Sequence, residues 1–114
     1  MGMHATASVQ DGITVITADG SIDSKTAGEF ERTAVAAVQG QHQIIIDLTQ
    51  VDFLSSAGLR VLLVVYRQIK ARSGKVVLVG TADEIKDVMS DTGFLGFFVT
   101  VDTLAEGLAT FSAS

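Results

Sequence analysis

Two adjacent hydroxyls, Ser55 and Ser56, stand directly before a strongly apolar segment at helical spacing, and no other residues of the chain are better placed for chemistry. A serine nucleophile needs a base beside it. His4 lies in the N-terminal stretch and His42 in a polar turn, Gly40-Gln41-His42-Gln43, so the sequence brings neither to a serine. A nucleophile elbow also needs glycine two positions before the serine, and Leu54 stands there before Ser56. The carboxylates Asp23, Asp47, Asp52, Asp83 and Glu84 lack the spacing of a calcium loop. A glycine-rich phosphate loop is absent, and there is no cysteine for thiol catalysis, disulfides or metal binding. These patterns assign no catalytic residue, no metal ligand and no cofactor.

The serine pair supports two readings. A serine at the start of a helix accepts a hydrogen bond from an unpaired amide of the first turn, so Ser55 or Ser56 can serve as N-cap, with a contribution of ~1 kcal/mol. Under that reading Ser56 is a cap and nothing more. The same geometry also suits a phosphate, which would meet free amides and the positive end of the helix dipole. Phosphorylation would place about −1.5 to −2 charges on a neutral surface, and a partner shaped for the bare hydroxyl would be lost.

The elements that position this pair follow from the hydrophobic pattern. Ile44-Ile45-Ile46 with Leu48 is β-branched and too short for a helix, which predicts a buried strand followed by a loop. The helix then runs to about Arg72, where Ser73-Gly74 ends it, and Gly58 in its first turn lets another backbone approach. Leu59, Leu62, Leu63 and Tyr66 form its core stripe. Arg60, Val64, Arg67 and Gln68 fall near the opposite face, where Arg60 and Val64 form a candidate partner face; Val61 and Val65 are either flank packing or part of that face.

Upstream, Asp11-Gly12 between two β-prone runs, Ala5 to Gln10 and Ile13 to Ala18, signals a hairpin. Gly20 to Ser24 turns into a first helix over about Lys25 to Gln39, with Ala27, Phe30, Ala34, Ala37 and Val38 inward. Downstream, Lys75 to Gly80 reads as a second buried strand, and Thr81 to Glu84 as a capping box for a helix ending near Asp91 at Gly93. A short strand near Val99 to Val101 and a second capping box, Thr103 to Glu106, lead to a terminal helix that carries Leu104, Leu108 and Phe111 and frays at 112–114. Strands alternating with helices predict an α/β domain with a mainly parallel sheet and the first strand added antiparallel.

The 114 residues make one domain, 1–114, able to bury roughly 65% of the unfolded surface. The longest apolar run, Val61 to Tyr66, is far below the ~20 residues of a membrane span. Eight basic against thirteen acidic residues give a net charge of −5, and no basic cluster is evident along the chain, which argues against nucleic acid as a partner. The Met1 to Asp11 segment lacks the pattern of a secretory signal, so a cytoplasmic location is expected. Gly2 with Thr6 formally fits a myristoylation pattern, one short enough to recur by chance.

Val51-Asp52-Phe53-Leu54-Ser55-Ser56-Ala57-Gly58-Leu59 resembles the signature of STAS domains, the sulfate transporter and anti-sigma factor antagonist family, at the loop that carries their phosphorylatable serine. Gly20 to Asp23 with Thr26-Ala27, Ile44 to Leu48, and Thr92-Gly93-Phe94 resemble further parts of that family in the same order. The resemblance implies the STAS fold and, counted from Gly58, a phosphoacceptor at Ser56, with Ser55 the alternative. It implies a partner-binding loop of Asp23, Ser55, Ser56, Ala57 and Gly58. Ser55 replaces a frequent acidic residue and Ala57 a frequent second hydroxyl, so kinase recognition differs from that of the best-matched members.

What the family implies is an anti-sigma factor antagonist that is not an enzyme. Unphosphorylated, it binds an anti-sigma factor that is also a serine kinase and frees a sigma factor; phosphorylated, it lets go, and a PP2C-like serine phosphatase resets it. ATP and magnesium belong to the kinase. The family offers two alternatives, an accessory subunit of a lipid ABC transporter and a scaffold component of a large signalling assembly.

Overall fold

The computed structural model describes residues 3–112; the expectations at Gly2 and at residues 113–114 lie outside them. The chain opens as the predicted hairpin, β1 (Met3–Gln10) and β2 (Ile13–Ile22), paired antiparallel in unbroken register from Met3 opposite Gly20 to Gln10 opposite Ile13. Asp11 and Gly12 both take positive φ, 54° and 79°, which matches the right-handed twist of the flanking strands. Then follow α1 (Ala27–Ala37), β3 (Gln43–Leu54), α2 (Ser56–Lys70), β4 (Lys75–Val79), α3 (Asp83–Asp91), a single 3₁₀ turn (Leu95–Phe97), β5 (Val99–Val101) and α4 (Leu104–Ser112). The five strands form one sheet in the order β1-β2-β3-β4-β5, with every pair after the hairpin parallel.

Helices cover both faces of the central strands. On one face Ile16, Ile44, Ile46, Leu48, Val76 and Leu78 pack against Phe30 and Ala34 of α1, Leu62, Val65 and Ile69 of α2, and Ile85 and Met89 of α3. On the other, Val15, Ile45, Val77 and Val79 meet Leu104, Leu108 and Phe111 of α4. This explains why the central runs are continuously apolar.

The central strand is longer than its apolar run. Residues 49–54, expected as a loop, continue β3 alongside an equally extended β2, across two register shifts. From Thr17 opposite Asp47 to Asp19 opposite Gln50, and again from Gly20 opposite Val51 to Ser21 opposite Phe53, β3 advances one residue more than β2. Each extra residue resets the inward-outward alternation, so Thr49-Gln50 and Asp52-Phe53 are exposed pairs between the buried Leu48 and Val51 and the half-buried Leu54. A pattern that loses its period of two imitates a loop. Gly20 to Ile22, read as a turn, is strand for the same reason, and the turn begins at Asp23.

Helix α2 also packs differently from its expected stripe. Its buried residues are Gly58, Leu59, Val61, Leu62, Val65 and Ile69, whereas Leu63 and Tyr66 are half-buried. Val61 and Val65 are therefore core, because α2 packs against its neighbour α1 as well as against β3 and β4 and so buries an arc wider than one stripe. The capping box at Thr81 does not form: the N-cap of α3 is Ala82, with no side-chain bond. The second box does, with the Glu106 amide donating to Thr103 Oγ1 (3.1 Å) and the Thr103 amide to Glu106 Oε1 (3.0 Å).

Candidate functional site

The paired extensions of β2 and β3 end together, Ile22 opposite Leu54, and both chains turn there into helices. The Ser55 amide donates to the Ile22 carbonyl (2.8 Å), tying the start of α2 to the end of β2. Ser55 holds extended backbone and its Oγ accepts from the Gly58 amide (3.2 Å), while its carbonyl accepts from the Leu59 amide (2.9 Å). Ser55, not Ser56, is thus the cap. Ser56 is the first helical residue; it is exposed, and among the described residues nothing bonds to its hydroxyl or to the amides of Ser56 and Ala57.

Gly58 is buried for a reason that differs from the expected approach of backbone. A Cβ there would lie 2.6 Å from Leu54 Cδ1 and 2.7 Å from Ile22 Cγ2, so side chains from the ends of β3 and β2 fill the space. The glycine lets the first turn of α2 sit directly on the end of the ladder, which fixes where Ser56 emerges. Ala57 is half-buried beside it, Arg60 is exposed one turn on, and Val64 is only half-buried, so the expected Arg60 and Val64 face is partly engaged in packing.

Asp23 stands at the neighbouring corner, one residue past Ile22, and its carboxylate serves its own turn. Oδ1 accepts from the amides of Lys25 (2.8 Å) and Thr26 (3.1 Å), and the Asp23 amide donates to Thr26 Oγ1 (2.9 Å), which donates to the Ser21 carbonyl (2.8 Å). The Lys25 amide, then that of Thr26, holds the Asp23 carboxyl below its ordinary value by favouring the ionised form. Of the loop residues expected to face a partner, Ser56 is thus exposed while Ser55, Gly58 and Asp23 build the frame around it.

Beside Ser56 lies a narrow apolar groove of about 130 Å³ between α2 and α3, lined by Leu54, Ser56, Leu59, Ile85, Val88 and Met89 among others. Phe53 and Val88, each 52% exposed, stand near this end as large apolar side chains the core does not use. Sequence reasoning quoted Phe53 without singling it out and missed Val88; the available signal for Phe53 was an aromatic residue inside a segment too polar for core. The histidines stay apart from the serines: His42 precedes β3 at the far end of that strand, and His4 lies opposite Asp19 on β1, with β2 between it and β3. Among the described residues no cluster of three or more His, Asp or Glu could hold a metal ion, and no helix is long and apolar enough to cross a membrane.

Residues 4–107 match the STAS domain family. The chain belongs to the STAS domain family. A curated relative named as an anti-sigma factor antagonist, BtrV of Bordetella bronchiseptica, is 30% identical over 105 residues, which cover 91% of this chain and 90% of BtrV. Among solved structures, an anti-sigma factor antagonist from Mycobacterium paratuberculosis superposes with a TM-score of 0.86 at 27% identity, covering 96% of this chain and 93% of that one. The Bacillus cell fate determinant SpoIIAA in its phosphorylated form gives 0.75 at 20% identity, over 95% and 99% of the two chains, a likeness of fold. The STAS fold, with one antiparallel strand on an otherwise parallel sheet, is thus common to this chain and its relatives.

Proposed function

We propose that this STAS domain is an anti-sigma factor antagonist whose grip on its partner is controlled by phosphorylation of Ser56. One observation carries the reading: Ser55 performs the capping, which leaves Ser56 exposed at the first helical position beside two unbonded amides and an apolar groove. A phosphate on Ser56 meets the positive end of α2 and disturbs no bond of the fold. On Ser55 it would displace the cap, so Ser56 is the better acceptor of the two.

The bare hydroxyl, the groove and the exposed Phe53 and Val88 together suit a protein surface with an apolar centre. Its occupant is an anti-sigma factor with serine-kinase activity of its own; a PP2C-like phosphatase restores the hydroxyl. Relatives named as anti-sigma factor antagonists, and a fold shared with a phosphorylated protein, support this reading. The domain itself is the substrate and supplies no catalysis.

Burying about two negative charges against a partner built for a hydroxyl is expected to cost ~3 kcal/mol, a loss of about 150-fold in affinity. The test is peptide mapping of the protein from its own cells, paired with titration of the kinase against Ser56→Ala and Ser56→Glu. Phosphate on the Ser56 peptide, tight binding by the alanine variant and weak binding by the glutamate variant support the switch. Equal affinity of the two variants would sink it.

A further inference from the structure

The end of the molecule opposite Ser56, where β3, β4 and β5 begin, carries its own groove. About 240 Å³ in volume, it runs between the last turns of α2 and the start of β5 and is lined by Tyr66, Ile69, Lys70, Lys75, Phe97 and Val99 among others. Phe97 is 46% exposed and Val99 40% exposed, so two large apolar residues face solvent here although the core had room to hide Phe98 beside them. Phe97 is not loose: its ring stacks on Tyr66 with centroids 5.0 Å apart and planes 13° from parallel, and Phe98 closes on Tyr66 edge-on at 5.5 Å. A wall held this way gives up little side-chain freedom when something docks on it. β5 is also an edge strand, with one side of its backbone unpaired by the sheet.

The charged residues that line this groove, Lys70 and Lys75, are opposite in sign to the net charge of the chain. Contrary to the reading that no basic cluster exists, Arg67, Lys70, Arg72 and Lys75 are half of the eight basic residues and fall within nine positions, and no Asp or Glu occurs between Val61 and Ala82. Arg72 is committed to the fold, donating to the carbonyls of Val38 (3.0 Å) and Gln41 (3.2 Å), and Lys75 Nζ lies 5.6 Å above the Phe111 ring. Arg67, Lys70 and Lys75 are exposed. The dipole of α2 accounts for cations in its last turn. It does not account for the exposed aromatic wall, nor for a lining that holds two lysines and no carboxylate.

We infer that this groove is a second docking surface, and that it takes an acidic, extended protein segment whose aromatic or aliphatic anchor lies on the Tyr66, Phe97 and Val99 wall while its carboxylates meet Lys70 and Lys75, the charged residues of the lining. Charge complementarity selects the occupant. A second copy fits less well, because each chain carries a net charge of −5 and the cavity admits one large side chain rather than a folded surface. Two lysines are also few for a nucleic acid, whose binding neutralises many phosphates at once. Being at the far end of β3 from Ser56, the groove stays available in either state of that serine.

The probe is a fluorescein-labelled peptide of about twelve residues, alternating Glu with Leu around one central Phe, followed by anisotropy and by backbone amide shifts of the intact protein. Binding is expected to move Lys70, Val76 and Val99, to leave Ser56 to Leu59 in place, and to weaken about tenfold in Lys70→Glu and in the Glu→Gln peptide. Lys70 is exposed, so that variant keeps its fold; Arg32→Glu, an equal charge change on α1, is expected to bind as the parent does. Four outcomes would overturn the inference: no binding, an equal loss in Arg32→Glu, shifts centred on Ser56, or tighter binding of an oligonucleotide at this groove. Self-association abolished by Lys70→Glu would assign the groove to a second copy and overturn it as well.

Discussion

Helices α2 and α3 begin alike in the sequence, each just past the carboxyl end of a buried parallel strand with a hydroxyl residue ahead of it, and they use those hydroxyls in opposite ways. At α2, Ser55 occupies the N-cap position itself and accepts from the third helical amide. At α3, Gly80 at φ 66° turns the chain one residue earlier, Thr81 is left 6% exposed with no partner for its Oγ1 among the described residues, and the cap falls to Ala82. The strand ends decide the matter. β3 delivers its serine straight off a ladder bonded to β2, whereas Gly80 is pressed against Thr49, which leaves no room for a Cβ there and sets Thr81 inward. A cap is a property of the position a residue reaches, and spacing alone does not say which residue reaches it.

Point substitutions at these helix starts test the contrast. The largest effect is expected at Gly58→Ala, because the added methyl meets Leu54 and Ile22 at the seat of α2; chemical denaturation should show a loss of about 2–3 kcal/mol. Ser55→Ala should cost ~1 kcal/mol in the same assay, and Ser56→Ala less than about 0.5 kcal/mol, so the two adjacent serines separate into a cap and an exposed hydroxyl. Equal losses at both would erase the distinction on which the choice of Ser56 rests. Thr81→Val should act in the opposite direction, raising stability by about 1 kcal/mol, because it removes a buried hydroxyl without a partner among the described residues.

The smallest effect belongs to the third such corner, where Asp23 ties down the turn into α1. Its carboxyl is lower in the folded protein than in the unfolded chain, so its contribution is complete above the unfolded value and lost as pH falls through the folded one. Asp23→Asn should therefore lower stability slightly in the neutral region and flatten the acid limb of a stability-against-pH curve, the two proteins converging at low pH. An unchanged acid limb would mean that the turn gains nothing from the charge.

The order of elements was legible because each apolar run is either short and β-branched or periodic over several turns, and because Asp11-Gly12, Gly93 and the Thr103 to Glu106 box are strong local signals. The site was legible as a place and not as an arrangement. Residues 49–54 hid their strand character because the two extra residues in β3 scramble the alternation by which a strand is recognised. That irregularity also exposes Phe53. Val61 and Val65 were ambiguous because their burial depends on where α1 lies, which no local pattern carries. The grouping of cations was missed because Arg67, Lys70, Arg72 and Lys75 straddle a helix and a strand and do not read as a run.

With the Ser55 amide held by Ile22 and its Oγ by Gly58, the first turn of α2 is closed with Ser56 unmodified, by bonds in which the Ser56 hydroxyl takes no part. Under the proposed switch, no segment has to fold, melt or swing before the new state can be sensed. The message is then stored in the surface chemistry of one residue, like ink on a rigid card, and the interval between writing and response is set by the lifetime of the complex and by its two enzymes. A cell running such a circuit would tune its speed through those partners, leaving this chain unchanged.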